Sequence, residues 1–86
     1  MASYRVLIKP SASKELDKLA GPVIARIVPR LEQLAAQPRP AGCKKLTGGD
    51  REWRIRVGDY RVLYDIADTV RIVRVFRVRH RREVYR

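Results

Sequence analysis

Apolar and polar positions along the 86-residue chain change period more than once. Tyr4 to Lys9 is a short aromatic and β-branched run stopped by Pro10, which predicts a first strand. From Ser11, whose hydroxyl suits a helix N-cap, Leu16 and Leu19 form an apolar stripe that predicts a helix through Ala20. Gly21-Pro22 punctuates the chain and opens a second helix, where Val23, Ile24, Ile27, Val28, Leu31, Leu34 and Ala35 recur at helical spacing. Pro29 falls inside this stripe and predicts a kink, because its ring removes one backbone hydrogen bond. Gln37 to Gly42 contains two prolines and a glycine and reads as a loop.

Beyond that loop the period drops to two. Residues 51–66 alternate around Gly58-Asp59, a pair that suits a two-residue type II′ hairpin turn. That turn sets Val57 against Tyr60, Ile55 against Val62 and Trp53 against Tyr64, so one face of the hairpin is apolar throughout. The same register opposes Arg56 to Arg61 on the other face, with Arg54 roughly 7 Å along the strand from Arg56. A third strand is expected over Val70 to Val78 after a loop of Ala67-Asp68-Thr69, setting Ile66 against Val70, Tyr64 against Ile72 and Tyr60 against Phe76. In that register Arg61 faces Val75, Arg77 comes near the Asp59 turn, and Arg74 is a misfit on the core face.

Composition sharpens what the arginines are for. The chain has 20 basic and 9 acidic residues, a net charge of +11, yet its 45% hydrophobic content is normal for a folded domain. Residues 1–38 carry 6 basic and 3 acidic side chains, while residues 39–86 carry 14 and 6, so the excess sits in the second half. Fifteen of the 20 are Arg, whose planar fork suits bidentate phosphate contacts. Opposed like charges destabilise a hairpin, but they favour a groove that takes neighbouring phosphates. The expected partner is therefore a polyanion, with an ordinary solvated face as the bland alternative.

Cys43 is the only cysteine, so an intramolecular disulfide is excluded and a reducing cytoplasm fits. The N-terminal apolar run is too short for a signal-peptide core or a membrane span. One domain over residues 1–86 is expected, with no membrane partner. The chain ends in the basic tail Arg79 to Arg86, which is long enough to fold back over the sheet. His80, the single histidine, is a candidate proton relay because its ordinary pKa lies near neutrality.

These residues resemble one family from end to end. Tyr4-Arg5-Val6, Lys9-Pro10-Ser11-Ala12, Leu16-Asp17-Lys18-Leu19, Pro38-Arg39-Pro40 and Lys45-Leu46 look like the RelE/ParE toxin superfamily. So do Arg54-Ile55-Arg56-Val57-Gly58-Asp59-Tyr60-Arg61-Val62-Leu63-Tyr64 and the closing His80-Arg81-Arg82-Glu83-Val84-Tyr85. The resemblance implies an α+β fold in which two N-terminal helices pack on one face of a twisted antiparallel sheet, in the order β-α-α-β-β-β.

It also implies a toxin of a type II toxin-antitoxin system, held inactive by a RelB-like cognate antitoxin. RelE-like members cleave mRNA in the ribosomal A site without a metal or other cofactor, by attack of the ribose 2′-hydroxyl on the adjacent phosphate. Carried over by position, Arg54, Arg56, Arg61, Arg81 and Tyr85 fall on the family's catalytic positions, with His80 beside them. Arg61 and Arg81 are expected to stabilise the transition state, Arg54 and Arg56 to hold phosphates, and Tyr85 to stack on a base. Lys44, Lys45, Arg77, Arg79 and Arg82 are expected to add RNA contacts. Arg at positions 54 and 56, where well-known RelE proteins have Lys, is a poor general base, so its role is electrostatic. The alternatives are a ParE-like gyrase inhibitor and a non-catalytic RNA-binding module.

Overall fold

The computed structural model describes residues 3–47 and 51–84. The chain runs β1 (Arg5–Ile8), α1 (Pro10–Asp17), α2 (Gly21–Ala36), β2 (Lys44–Lys45), β3 (Glu52–Val57), β4 (Tyr60–Ala67), β5 (Ile72–His80) and α3 (Arg81–Val84). The strands form one sheet in the order β1-β5-β4-β3-β2. Ala12 of α1 and Ile27, Leu31 and Leu34 of α2 join a core with Ile55, Val57, Val62, Tyr64, Ile66, Val73, Val75 and Val78. The α+β architecture is thus the expected one, with two helices on one face. The sheet, however, is mixed rather than antiparallel, because β1 lies parallel to β5. A strand's composition shows that it pairs but not in which direction, and β1 finds its partner at the far end of the chain. The two-residue β2 was also unforeseen, since Lys44-Lys45 has no strand-like composition.

The hairpin register is as expected, with Val57 opposite Tyr60, Arg56 opposite Arg61, Ile55 opposite Val62 and Trp53 opposite Tyr64. Gly58 has φ +59° while Asp59 is not in the left-handed region, the pattern of a type II′ turn. The β4–β5 register is a correction. Residues 68–71 turn the chain, Arg71 taking φ +56°, and Ile66 faces Val73 instead of Val70. That odd shift puts Val73 and Val75 into the core and moves Arg74 to the open face, where its Nε donates to Asp65 at 2.8 Å. Phe76 is an extra residue in the ladder between Val75, opposite Tyr64, and Arg77, opposite Leu63. This bulge returns Val78 to the core opposite Val62.

The short outer strands leave part of each inner strand exposed at its edge, and helix side chains cover the gaps. Past the end of β1, the Ser11 hydroxyl donates to the Phe76 carbonyl at 2.7 Å, and the Val78 N–H donates to Glu15 Oε1 at 2.8 Å. Ser11 therefore ties the helix to the sheet rather than capping it; α1 begins at Pro10 with no side-chain cap. On the other side Arg30 of α2 donates to the Arg56 carbonyl at 3.4 Å. The α2 helix continues unbroken through Pro29.

The remaining loops are pinned by polar contacts. Tyr64 is fully buried and donates to the Pro38 carbonyl at 2.7 Å, and burial pushes its phenol above its ordinary pKa. Asp68 accepts from Arg39 at 2.9 Å and from the Tyr4 hydroxyl at 2.7 Å. The Arg39 guanidinium first, and the Tyr4 hydroxyl second, lower the Asp68 carboxyl from 3.8 to about 2. The same bonds raise the pKa values of Tyr4 and Arg39. Arg39 also lies over the Trp53 ring, 5.2 Å from its centre. Among the described residues no helix is long and apolar enough to cross a membrane.

Candidate nucleic-acid interface

Alternation along three neighbouring strands sets a row of arginines on the face away from the helices. Arg56 of β3 pairs with Arg61 of β4, and Arg61 pairs on its other side with Arg79 of β5. The bulge at Phe76 creates the second pairing, since the expected register had set Arg61 against Val75. Arg61 is only 7% exposed, in the middle of the row. One register step away, Lys44, Arg54, Leu63 and Arg77 line up across β2 to β5.

The C-terminal turn closes one end of this surface. The Arg81 N–H donates to the Asp59 carbonyl at 2.7 Å, and Arg81 Nε lies 3.8 Å from the Asp59 carboxylate. Asp59 therefore fixes α3 on the hairpin turn by one backbone bond and one exposed ion pair. The result is a cleft of about 410 Å³ lined by Arg56, Gly58, Asp59, Arg61, Arg81 and Arg82. Five lining residues are hydrogen-bonding or charged, and four of them are arginines. Such an array suits an anion with several oxygens, phosphate above all.

A second cleft of about 380 Å³ adjoins it and shares Arg56; its other lining residues are Arg30, Ala41, Gly42, Lys44 and Arg54. The structure thus gathers Arg54, Arg56, Arg61, Arg81, Arg82 and Lys44 into two neighbouring recesses. Arg77 and Arg79 lie on the same face but turn toward α1, where Glu15 Oε2 accepts from them at 3.4 and 2.8 Å. Lys45 pairs with Trp53 and lines neither cleft. His80 pairs with Tyr60, and its ring meets the Tyr60 ring edge-on at 5.2 Å on the helix side of the sheet. Its Nδ1 accepts from the Arg82 N–H at 3.3 Å. Tyr85 lies outside the described residues.

Sequence reasoning missed Arg30, Arg26 and Glu15. Arg26 stands against the hairpin turn, its guanidinium 3.1 Å from where a Cβ on Gly58 would be. Arg26 and Arg30 are four residues apart on the polar side of α2, a visible pattern. What it faced was not visible.

Residues 6–85 match the family model of the ParE toxin of the type II toxin-antitoxin system, parDE. Among curated proteins, none matches the chain. Solved structures do. The toxin-antitoxin complex RelBE2 from Mycobacterium tuberculosis contains a chain 30% identical, with TM-score 0.79, covering 91% of this chain and 98% of that one. The archaeal RelE-RelB complex from Pyrococcus horikoshii gives 28% identity and TM-score 0.82 over 94% and 97% of the two chains. The isolated RelE toxin of E. coli gives 29% identity and TM-score 0.79 over 95% and 90%. With a matching family model over nearly its whole length and the same two-helix, five-stranded architecture as these toxins, the chain belongs to the RelE/ParE superfamily of type II toxin-antitoxin toxins.

Proposed function

We propose that this toxin is a metal-independent endoribonuclease that cuts mRNA on the ribosome and that a RelB-like antitoxin holds it inactive. The observation that carries the reading is Arg61, buried between Arg56 and Arg79 and lining the cleft that Arg81 closes. A guanidinium held in that position presents positive charge and N–H donors to a phosphate in the cleft. In the reaction the ribose 2′-oxygen attacks the adjacent phosphorus and gives up its proton to water. The bond from phosphorus to the 5′-oxygen breaks, and that oxygen takes a proton, leaving a 2′,3′-cyclic phosphate and a 5′-hydroxyl.

Arg61 and Arg81 stabilise the charge that grows on the non-bridging oxygens, and Arg54 and Arg56 hold flanking phosphates. His80, the candidate proton relay, does not line this cleft, whereas Arg81 does. Tyr85 stacks on a base next to the cut. The antitoxin reading draws on the relatives, whose solved structures include RelE-RelB complexes. An acidic segment suits a surface of this charge and gives salt-sensitive association.

A second reading has a specific observation behind it: the family model that matches is ParE, so gyrase inhibition through protein contact is the alternative. Expressing the toxin in bacteria and mapping mRNA 5′ ends separates the two. Cuts within translated codons support cleavage; intact mRNA with a DNA-damage response supports gyrase. Arg61→Ala and Arg81→Ala should each slow cleavage by about 10²- to 10³-fold. Full toxicity of either variant would contradict the assigned roles.

A further inference from the structure

The cleft between α2 and the β2–β3 pair is lined by four cations, Arg30, Lys44, Arg54 and Arg56, and, among the described residues, by no carboxylate. Like charges gathered around a recess raise the local anion concentration. Ala41 and Gly42 complete the lining, so no bulky side chain fills it from the loop. Arg30 reaches the cleft from the helix layer and spends one N–H group of its guanidinium on the Arg56 carbonyl, at a long 3.4 Å. Because this cleft shares Arg56 with the one at the hairpin turn, the two form a continuous basic track along β3.

We infer that this cleft is a second phosphate subsite, in which Arg30, with Lys44 and Arg54, holds the RNA backbone away from the linkage gripped by Arg61 and Arg81. The inference rests on the ribonuclease reading and deepens it. Arg54 and Arg56 are two residues apart on one strand face, about 7 Å, so an RNA laid along β3 meets one cation after another. Contacts to phosphate carry no sequence information, so Arg30 raises affinity for any strand long enough to reach it.

The probe is a fluorescent single-stranded 2′-O-methyl oligoribonucleotide long enough to span both clefts, which cannot be cleaved. Its binding to the full chain is followed by anisotropy across a salt series. Arg30→Gln removes the charge while keeping an N–H donor for the Arg56 carbonyl. Its affinity should fall about three- to tenfold, and the slope of log affinity against log salt should shrink by about 0.7, the share of one phosphate on a single strand. Arg30→Lys should retain most of the affinity, and Lys44→Gln should repeat the loss. Unchanged affinity and slope in Arg30→Gln, or an equal loss in Arg30→Lys, overturns the subsite. If the wild-type protein bound no oligonucleotide at all, the ribonuclease reading itself would fail.

Discussion

Single residues in this protein often do work that their type alone does not announce. Glu15 accepts hydrogen bonds from the Val78 N–H, Arg77 and Arg79, so one carboxylate both covers a strand edge and gathers two arginines of the basic face. Replacing it with Ala strands a donor and leaves the two cations side by side, at a cost of about 1–3 kcal/mol. Glu15→Gln should cost less, since an amide oxygen still accepts from Val78. Urea unfolding of the three proteins measures this, and an Ala variant as stable as wild type would show that the contacts contribute nothing net. Gly58 is the other such position. Its φ of +59° and the Arg26 guanidinium 3.1 Å from an added Cβ predict that Gly58→Ala loses about 1–2 kcal/mol. The same unfolding experiment checks it, with Arg26→Ala in the same background expected to recover only the contact part.

At the scale of elements, the loops are held by a few specific contacts. Asp68 joins the start of β1, through Tyr4, to the loop after α2, through Arg39. Its carboxyl pKa is lower in the folded protein, at about 2, than its ordinary 3.8. The carboxylate therefore stabilises the fold above about pH 4, and that contribution disappears as pH falls through about 2. The pair is exposed, so salt weakens it. Melting temperatures of the wild type and Asp68→Asn should differ at pH 5 and converge toward pH 2. A constant gap across that range would rule out the clasp as the source.

Element pairing also separates local from distant information. The β3–β4 register was legible because a two-residue turn with glycine first leaves one way to align the strands. The β4–β5 register was not. Its four-residue turn places Arg71, not a glycine, in the left-handed region, and a bulge at Phe76 shifts the alternation again. Each step moves every later side chain to the other face.

Across the whole molecule, the arrangement trades stability for charge. Arg56, Arg61 and Arg79 lie in one cross-strand row, where like charges directly opposed are unfavourable. Arg56→Ala should therefore raise folding stability by about 0.2–1 kcal/mol while weakening RNA binding, since Arg56 lines both clefts. Thermal melts and the oligonucleotide titration read the two effects separately. Loss of stability together with loss of binding would mean that Arg56 supports the fold instead.

From residues alone came the two helices, the Gly58-Asp59 hairpin and the opposition of Arg56 to Arg61, because each follows from spacing within one short stretch. The family likeness was carried by short motifs spread from end to end of the chain. Tertiary structure decided the rest: the parallel docking of β1 on β5, the addition of Arg79 to the row and the placing of His80 on the helix side. It also decided that Glu15, Arg26 and Arg30 would reach the sheet from the helices. The physical reason is common to all of these. A strand's pattern states which face is apolar, whereas its partner, direction and offset depend on turns, bulges and helix packing far along the chain.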